Sequence, residues 1–310
     1  MSVELLILGA GWTSTFLAPL CAERHITSAA TSRSGRDSTI KFEFDPDSDD
    51  LQPYKALPDA QTVLITFPIE KKGASERLVN LYKRSRREEK HHAAFIQLGS
   101  TGIWDGHRKD KSVLPQPVEN RWYDRHSGFI PNARAAAEHE LLCLSPATPT
   151  TVINLAGLWG GTRSMRNWVG RVAPSKDMLK NKGSIHMIHG IDVARAVLAV
   201  HGNFSKAQGQ RWILTDGRVY DWWDLASAWG SRPAKEDGSE AAMVVALSPT
   251  ALASISQEER GPQARWVREL MDEQGVRALP RNIDILGRAL DSREFWVTFN
   301  LTPLKALLEG

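Results

Sequence analysis

Val3-Glu4-Leu5-Leu6-Ile7-Leu8-Gly9-Ala10-Gly11-Trp12-Thr13-Ser14 opens the chain with an apolar run, two glycines one residue apart, and then a segment of helical character through Arg24. That order predicts a strand, a turn and a helix. The pattern Gly9-x-Gly11-x-x-Ser14 falls at the turn, where a doubly wound sheet offers backbone N–H groups and a helix N-terminus to a dinucleotide's pyrophosphate. Gly9 permits the tight bend, and Gly11 lets phosphate approach the backbone. Ser14 replaces the third glycine of the usual pattern and brings a hydroxyl that phosphate could accept. Trp12 and Thr13 complete the candidate loop. A plain strand-to-helix turn would need the same glycines, so the reading rests on the pattern of the downstream chain.

Short runs rich in apolar and β-branched residues recur at 26–30, 40–44, 62–67, 93–98 and 151–155, separated by segments of helical content. Helices are predicted over 75–87, over 131–144 with Glu138 and Glu140 exposed, and over 192–201. The alternation predicts an α/β fold, a Rossmann-like doubly wound parallel sheet. A further strand is expected at 211–215 and a short helix at 221–229, with an exposed loop at 231–239. From about Tyr220 the chain reads as mainly helical, with candidates at 263–274 and 283–290, and should form a smaller C-terminal substrate lobe. The expected division is a dinucleotide-binding domain over 1–160 to which 184–216 return, and a substrate lobe over 161–183 and 217–310.

The end of the second strand decides which dinucleotide is expected. A carboxylate there would hold the ribose 2′-hydroxyl of NAD, whereas arginine accepts the 2′-phosphate of NADP. The segment is Thr31-Ser32-Arg33-Ser34-Gly35-Arg36, without an acid. Ser32, Arg33 and Arg36 offer hydroxyl and guanidinium donors to a dianion, so NADP is the predicted cofactor, with NADPH preferred over NADH. The lesser alternative for Arg33 is an exposed loop arginine. Asp45, after the third strand, is placed to reach the adenine edge or simply to end the strand. Phe67 and Pro68, after the fourth, complete the candidate cofactor site.

With 310 residues, 42% hydrophobic and 24% charged, the chain can build a sizeable core, which excludes wholesale disorder and coiled coil. Thirty-nine basic against 36 acidic side chains leave +3, interspersed, so no footprint for nucleic acid or a membrane surface is visible. Even the basic run from Lys83 to Arg87 is answered by Glu88 and Glu89, as on a solvated helix face. No stretch is long and apolar enough for a bilayer, and the first strand begins at Val3, so a cytoplasmic protein is expected. Cys21 and Cys143 read as reduced, buried thiols. His186 and His189 have no third ligand spaced nearby, so no metal is expected, and His189 with Asp192 should order a turn and cap the following helix. His91 and His92 follow a charged run and are expected to be exposed.

Five segments in order resemble the extended short-chain dehydrogenase/reductases, also called the NAD-dependent epimerase/dehydratase family, and within it an atypical, YeeZ-like branch. They are Gly9-Ala10-Gly11-Trp12, Leu98-Gly99-Ser100-Thr101-Gly102-Ile103-Trp104, Asn154-Leu155-Ala156-Gly157-Leu158-Trp159-Gly160, Ile188-His189-Gly190-Ile191-Asp192-Val193-Ala194-Arg195-Ala196 and Leu214-Thr215-Asp216-Gly217. The resemblance implies a tyrosine acid/base, a lysine four residues later that lowers its pKa and holds the ribose, and a serine that orients the substrate oxygen. Ser100 matches the serine, with Thr101 beside it. Ile130 stands where the tyrosine is implied and Arg134 where the lysine is, and no Tyr-x-x-x-Lys occurs in the chain. Arg134 could still bind the nicotinamide ribose or a phosphate. A proton would then have to come from Tyr123, Asp124, His126 or solvent.

The resemblance places the substrate pocket near Ser100, Thr101, Trp104, Trp159 and Arg163, although Trp159, Arg163 and Trp168 could instead belong to the core. The expected function is that of an NADP(H)-dependent oxidoreductase of small-molecule metabolism, with a homodimer possible. The alternative is a catalytically silent NADP(H)-binding sensor or scaffold. A structural interaction protein without a cofactor is the third reading.

Overall fold

The computed structural model describes residues 2–86, 93–105, 121–129, 131–230 and 262–305. Arg87, Glu88, Glu89, His91, His92, Ile130 and the loop at 231–239 lie outside the described residues.

The first half of the chain alternates as its sequence predicts. It runs β1 (Ser2–Leu8), α1 (Ser14–Glu23), β2 (Ser28–Ser32), β3 (Ile40–Lys41), α2 (Gln52–Lys55), β4 (Asp59–Ile65), α3 (Ala74–Arg84) and β5 (Ala94–Ser100), followed by a 3-10 turn over Thr101–Trp104. Next come β6 (Arg121–Tyr123), α4 (Ala133–Leu142), β7 (Thr150–Leu155), β8 (Gly157–Trp159), α5 (Arg166–Val172), α6 (Lys176–Lys180), β9 (Ser184–Ile185), β10 (Met187–His189), α7 (Gly190–Gly202) and α8 (Phe204–Ala207). The chain then passes through β11 (Arg211–Leu214), β12 (Tyr220–Asp221), α9 (Trp222–Trp229), α10 (Pro262–Gln274), β13 (Arg288–Leu290) and α11 (Arg293–Thr298).

Seven parallel strands form the central sheet in the order β11-β7-β5-β4-β1-β2-β3. The order reverses between β1 and β4, which opens a crevice at their carboxyl ends. β1 shows why helices cover both faces. Leu5, Leu6, Ile7 and Leu8 are all fully buried. Successive side chains of a strand point to opposite faces, so Leu5 and Ile7 join the core under α1 and α7, whereas Leu6 and Leu8 join the core under α3.

The smaller lobe has its own core, in which Met165, Val169, Trp223, Val267 and Leu270 pack together. Within it Asp221 and Arg281 form a buried bidentate pair, Nε to Oδ2 at 2.9 Å and Nη2 to Oδ1 at 2.6 Å, with the guanidinium 3.8 Å over the Trp223 ring.

Several expectations are corrected. Residues 283–290 do not form a helix: Gly287 takes a φ of +86°, and the chain leaves a short 3-10 turn for β13, which pairs in parallel with β6. Glu138 is buried, not exposed, and Cys143 is exposed, not buried. The substrate lobe does not take in all of 217–310, because α11 returns to the sheet, where Phe295 and Phe299 pack edge-on against Trp212. Asp192 does not cap α7; the His189 ring does, its Nδ1 accepting from the Ile191 N–H at 3.1 Å. The buried Asp192 carboxylate instead accepts the N–H groups of Leu304 at 2.9 Å and Lys305 at 3.0 Å, and pairs with Arg195. β3, expected over 40–44, is two residues long and lies at the sheet edge, where it pairs with the last two residues of β2.

Candidate functional site

The crevice at the strand-order reversal is a cleft of about 890 Å³, lined among others by Gly9, Gly11, Arg33, Phe44, Phe67 and Pro68. Gly9 has a φ of +97°, and a Cβ there would lie 2.6 Å from Thr66 Oγ1, so the tight turn tolerates only glycine. At Gly11 a Cβ would meet nothing within 4 Å, which leaves the loop open on its ligand side. Among the described residues, the backbone N–H groups of Trp12 and Thr13 have no partner, while those of Ser14, Thr15 and Phe16 are bonded within the turn. Two free donors at the start of α1 suit an anion. Ser14 is not one of them, since its hydroxyl donates to the Gly11 carbonyl at 2.6 Å.

At the end of β2 the Ser32 hydroxyl accepts from the N–H groups of Gly35 at 2.9 Å and Arg36 at 3.2 Å, and meets Thr39 Oγ1 at 2.6 Å. It is used up in shaping the turn. Arg33 is exposed in the cleft and has no carboxylate partner among the described residues, whereas Arg36 stands 3.9 Å from Asp37. Asp45 does not line the cleft; its carboxylate accepts from the Asp47 N–H at 2.8 Å. Several lining residues escaped the sequence reading, Glu43, Phe44 and Lys71 among them, and the Phe44 ring stacks on Phe67 at 5.8 Å. The only signal for Glu43 and Phe44 was the alternation through residues 42–44. Together these groups can hold a phosphorylated nucleoside, with aromatic faces for a base and cation and N–H donors for phosphates.

The end of β5 is differently built. Ser100 Oγ accepts from the Gly102 N–H at 3.1 Å and caps the 3-10 turn. Thr101 and Trp104 are buried there, and Arg288 fastens the turn through the Thr101 carbonyl at 2.9 Å and Asp105 at 2.6 Å. Tyr123 is buried in a hydrophobic cluster with Ile103, Trp104 and Leu290. Asp124 accepts from the Ser127 hydroxyl and from the N–H groups of His126 and Ser127, bonds that hold its carboxyl below the usual range. His126 meets Glu294 at 3.0 Å. None of these three proton-donor candidates is bonded to Ser100.

Arg134 is tied down as well: its Nε lies 3.4 Å from Glu138, and Nη2 donates to the Leu98 carbonyl at 3.2 Å. Glu138 is the hub of a buried network, paired with Arg211 and accepting from the Asn154 amide at 2.9 Å, while Asn154 also donates to the Ser100 carbonyl at 3.2 Å. A side chain at Gly99 would collide with Asn154 and Glu138, which is why β5 carries glycine there.

On the far side, the His189 ring lies edge-on to Trp159 at 4.6 Å and to Phe16 at 5.4 Å. Arg163 lies over the ring of Trp12, at 4.7 Å, and Trp12 Nε1 donates to the Gly160 carbonyl at 2.9 Å. Among the described residues, no group of three or more His, Cys, Asp and Glu side chains could hold a metal ion. No helix among them is long and apolar enough to cross a membrane.

Burial shifts two of the core's titratable groups, His186 and Asp216, in opposite senses. Burial pushes His186 from 6.5 down to about 3, and burial pushes Asp216 from 3.8 up to about 6 although Tyr220 donates to it. The unfolded chain therefore protonates His186 where the folded chain does not, so this residue removes stability as pH falls from 6.5 towards 3. For Asp216 the folded chain takes the proton first, so stability withheld at neutral pH returns as pH falls from 6 towards 3.8. Denaturant titrations between pH 7.5 and 4 should show His186→Gln gaining stability on acidification relative to the unmodified chain, and Asp216→Asn losing it. Each slope should approach about 1.4 kcal/mol per pH unit. Parallel profiles for all three proteins would refute the assignment.

No protein-family model matches the chain, and no curated protein is significantly similar to it. Solved structures do match in fold. The UDP-N-acetylglucosamine 4-epimerase of Bacillus cereus superposes with a TM-score of 0.57 at 9% identity, over 99% of this chain and 96% of that one. Yeast methylglyoxal/isovaleraldehyde reductase, complexed with NADPH, gives 0.54 at 14% identity, over 99% and 95%. A short-chain dehydrogenase/reductase superfamily protein from Agrobacterium tumefaciens with bound NAD gives 0.55 at 10% identity, over 98% and 93%. The chain thus has the Rossmann-like fold of epimerase/dehydratase and short-chain dehydrogenase/reductase structures.

Proposed function

We propose that the protein binds NADP(H) and acts as an oxidoreductase on a small molecule, without a Tyr-x-x-x-Lys proton donor. The observation that carries this reading is an open phosphate cradle, the free N–H groups of Trp12 and Thr13 beside Gly11, next to a cleft that Gly11 and Arg33 line, with no carboxylate partner for Arg33 among the described residues. Neighbours of the same fold bind NADPH or NAD, which supports a nicotinamide cofactor. When bound, that cofactor would donate or accept a hydride. Ser100 would orient a substrate oxygen, and substrates that accept hydride without simultaneous protonation, such as iminium ions, suit the site best. A cytoplasmic setting is part of the proposal, since it would keep the exposed thiol of Cys143 reduced.

The network at Arg134 favours a second reading. A guanidinium held by Glu138 and the Leu98 carbonyl cannot act as a general base, and a silent nucleotide-binding sensor needs none. Turnover separates the two readings.

Binding is measured first, by energy transfer from the tryptophans to the reduced nicotinamide. NADPH should bind at least about tenfold tighter than NADH, roughly 1.4 kcal/mol, and Arg33→Ala should erase most of that preference. Equal affinities in the unmodified protein would sink the NADP assignment.

A further inference from the structure

The phosphate loop carries no cation of its own. Residues 9–14 are Gly, Ala, Gly, Trp, Thr and Ser, and α1 has no basic side chain. A dinucleotide's diphosphate would bring two negative charges to this place, and the free N–H groups of Trp12 and Thr13 supply only partial positive charge. The other cations of the cleft are committed elsewhere: Lys71 pairs with Asp47, Arg36 lies near Asp37, and Arg33 stands at the end of β2, beside the ribose position.

Among the described residues, Arg163 is a further candidate, outside the cleft lining but beside the loop. It comes from the smaller lobe, is exposed, and has no carboxylate partner among the described residues. Its backbone is fixed, because Gly160 and Arg163 exchange both N–H to carbonyl bonds, at 2.9 Å and 3.1 Å. The turn they close is docked on α1: Trp12 Nε1 donates to the Gly160 carbonyl, and a Cβ at Gly161 would lie 3.3 Å from the Phe16 ring. Only the Arg163 side chain is at liberty, and its guanidinium rests on the indole of the very residue whose N–H forms the cradle. A guanidinium stacked on an aromatic face loses little hydration and keeps its N–H fork for a phosphate.

We propose that Arg163 is a diphosphate clamp, a cation supplied by the smaller lobe to the dinucleotide's two phosphates. The proposal rests on the nucleotide-binding reading above and reassigns Arg163 from substrate to cofactor. It also gives the Trp12 to Gly160 bond a purpose, which is to hold the clamp beside the loop.

The test titrates the full-length protein, unmodified and as Arg163→Ala and Arg163→Lys, with NADPH and with adenosine 2′-monophosphate, which has the 2′-phosphate but no diphosphate. Arg163→Ala should weaken NADPH by about tenfold to a hundredfold, the range for one charge-assisted hydrogen-bonded contact. Adenosine 2′-monophosphate should bind all three proteins alike, within a factor of about two, and Arg163→Lys should recover part of the NADPH affinity by keeping the charge. Undiminished NADPH binding in Arg163→Ala would overturn the clamp and leave the nucleotide reading standing. Equal losses for both ligands would overturn it too, since they would mean a disturbed cleft. If the unmodified protein bound neither ligand, the nucleotide reading and the clamp would fall together.

Discussion

A Gly11→Val protein should unfold at the same denaturant concentration as the unmodified chain and yet fail to hold a dinucleotide. The fold is indifferent because a Cβ at this position meets nothing within 4 Å and the backbone has no positive φ to preserve. Surface changes of that kind usually stay within about 0.5 kcal/mol. The ligand is not indifferent, since the branched methyls would occupy the space through which phosphate reaches the Trp12 and Thr13 N–H groups. Losing two charge-assisted bonds of about 1.5–3 kcal/mol each lowers NADPH affinity by roughly two to four orders of magnitude. Gly9→Ala provides the contrast: its positive φ and its approach to Thr66 should cost stability as well as binding. NADPH affinity unchanged by valine at position 11 would mean that the loop is an ordinary turn.

The second large effect is expected at Glu138. Removing its carboxylate by Glu138→Ala strands Arg211, whose side chain is 8% exposed, and deprives Asn154 of an acceptor. Breaking a buried pair from one side typically costs about 3–5 kcal/mol, because the remaining charge stays desolvated. Glu138→Gln should cost less, since the amide oxygen can still accept from Asn154 or Arg211. Because Asn154 also holds the Ser100 carbonyl, the alanine variant should loosen the β5 end as well, seen as faster amide exchange at residues 100–102. A loss below about 1 kcal/mol would show that water reaches the network and that the charges are not truly buried.

How far the sequence could be read depends on the range of the forces involved. The strands of the central sheet were legible because burial on both faces writes a continuous apolar run, as in Leu5 to Leu8, and the glycine turn is a local signal. The pairing of the short strands β8 with β10, β9 with β12 and β6 with β13 was not, since two or three residues leave no periodicity from which a partner can be read. Burial of Glu138 depends on Arg211 and Asn154, which reach it only through the sheet order, so its charge alone read as exposure. In the cleft, Gly9, Gly11 and Arg33 were found from spacing, and Phe67 and Pro68 from their place after a strand. That the Ser14 and Ser32 hydroxyls are engaged within their own turns was not legible, because a hydroxyl's bonds depend on the local backbone path. The stacking of Arg163 on Trp12 was not legible, because the docking of the 160–163 turn on α1 is set by the tertiary fold.

The carboxylate of Asp192 also bears on the timing of biosynthesis. It lies in α7, fully buried, and the Leu304 N–H that it accepts comes 112 residues later in the chain. At about 5–20 residues per second a ribosome needs roughly 6–20 s to cover that interval. Throughout it the helix can be formed, but its acid has only Arg195 and water for company, and sealing it under the sheet would leave lone pairs unsatisfied. A nascent chain should therefore pass through a loosely closed state, with the strands aligned and this flank of the core still hydrated, until Leu304 and Lys305 arrive to seal it.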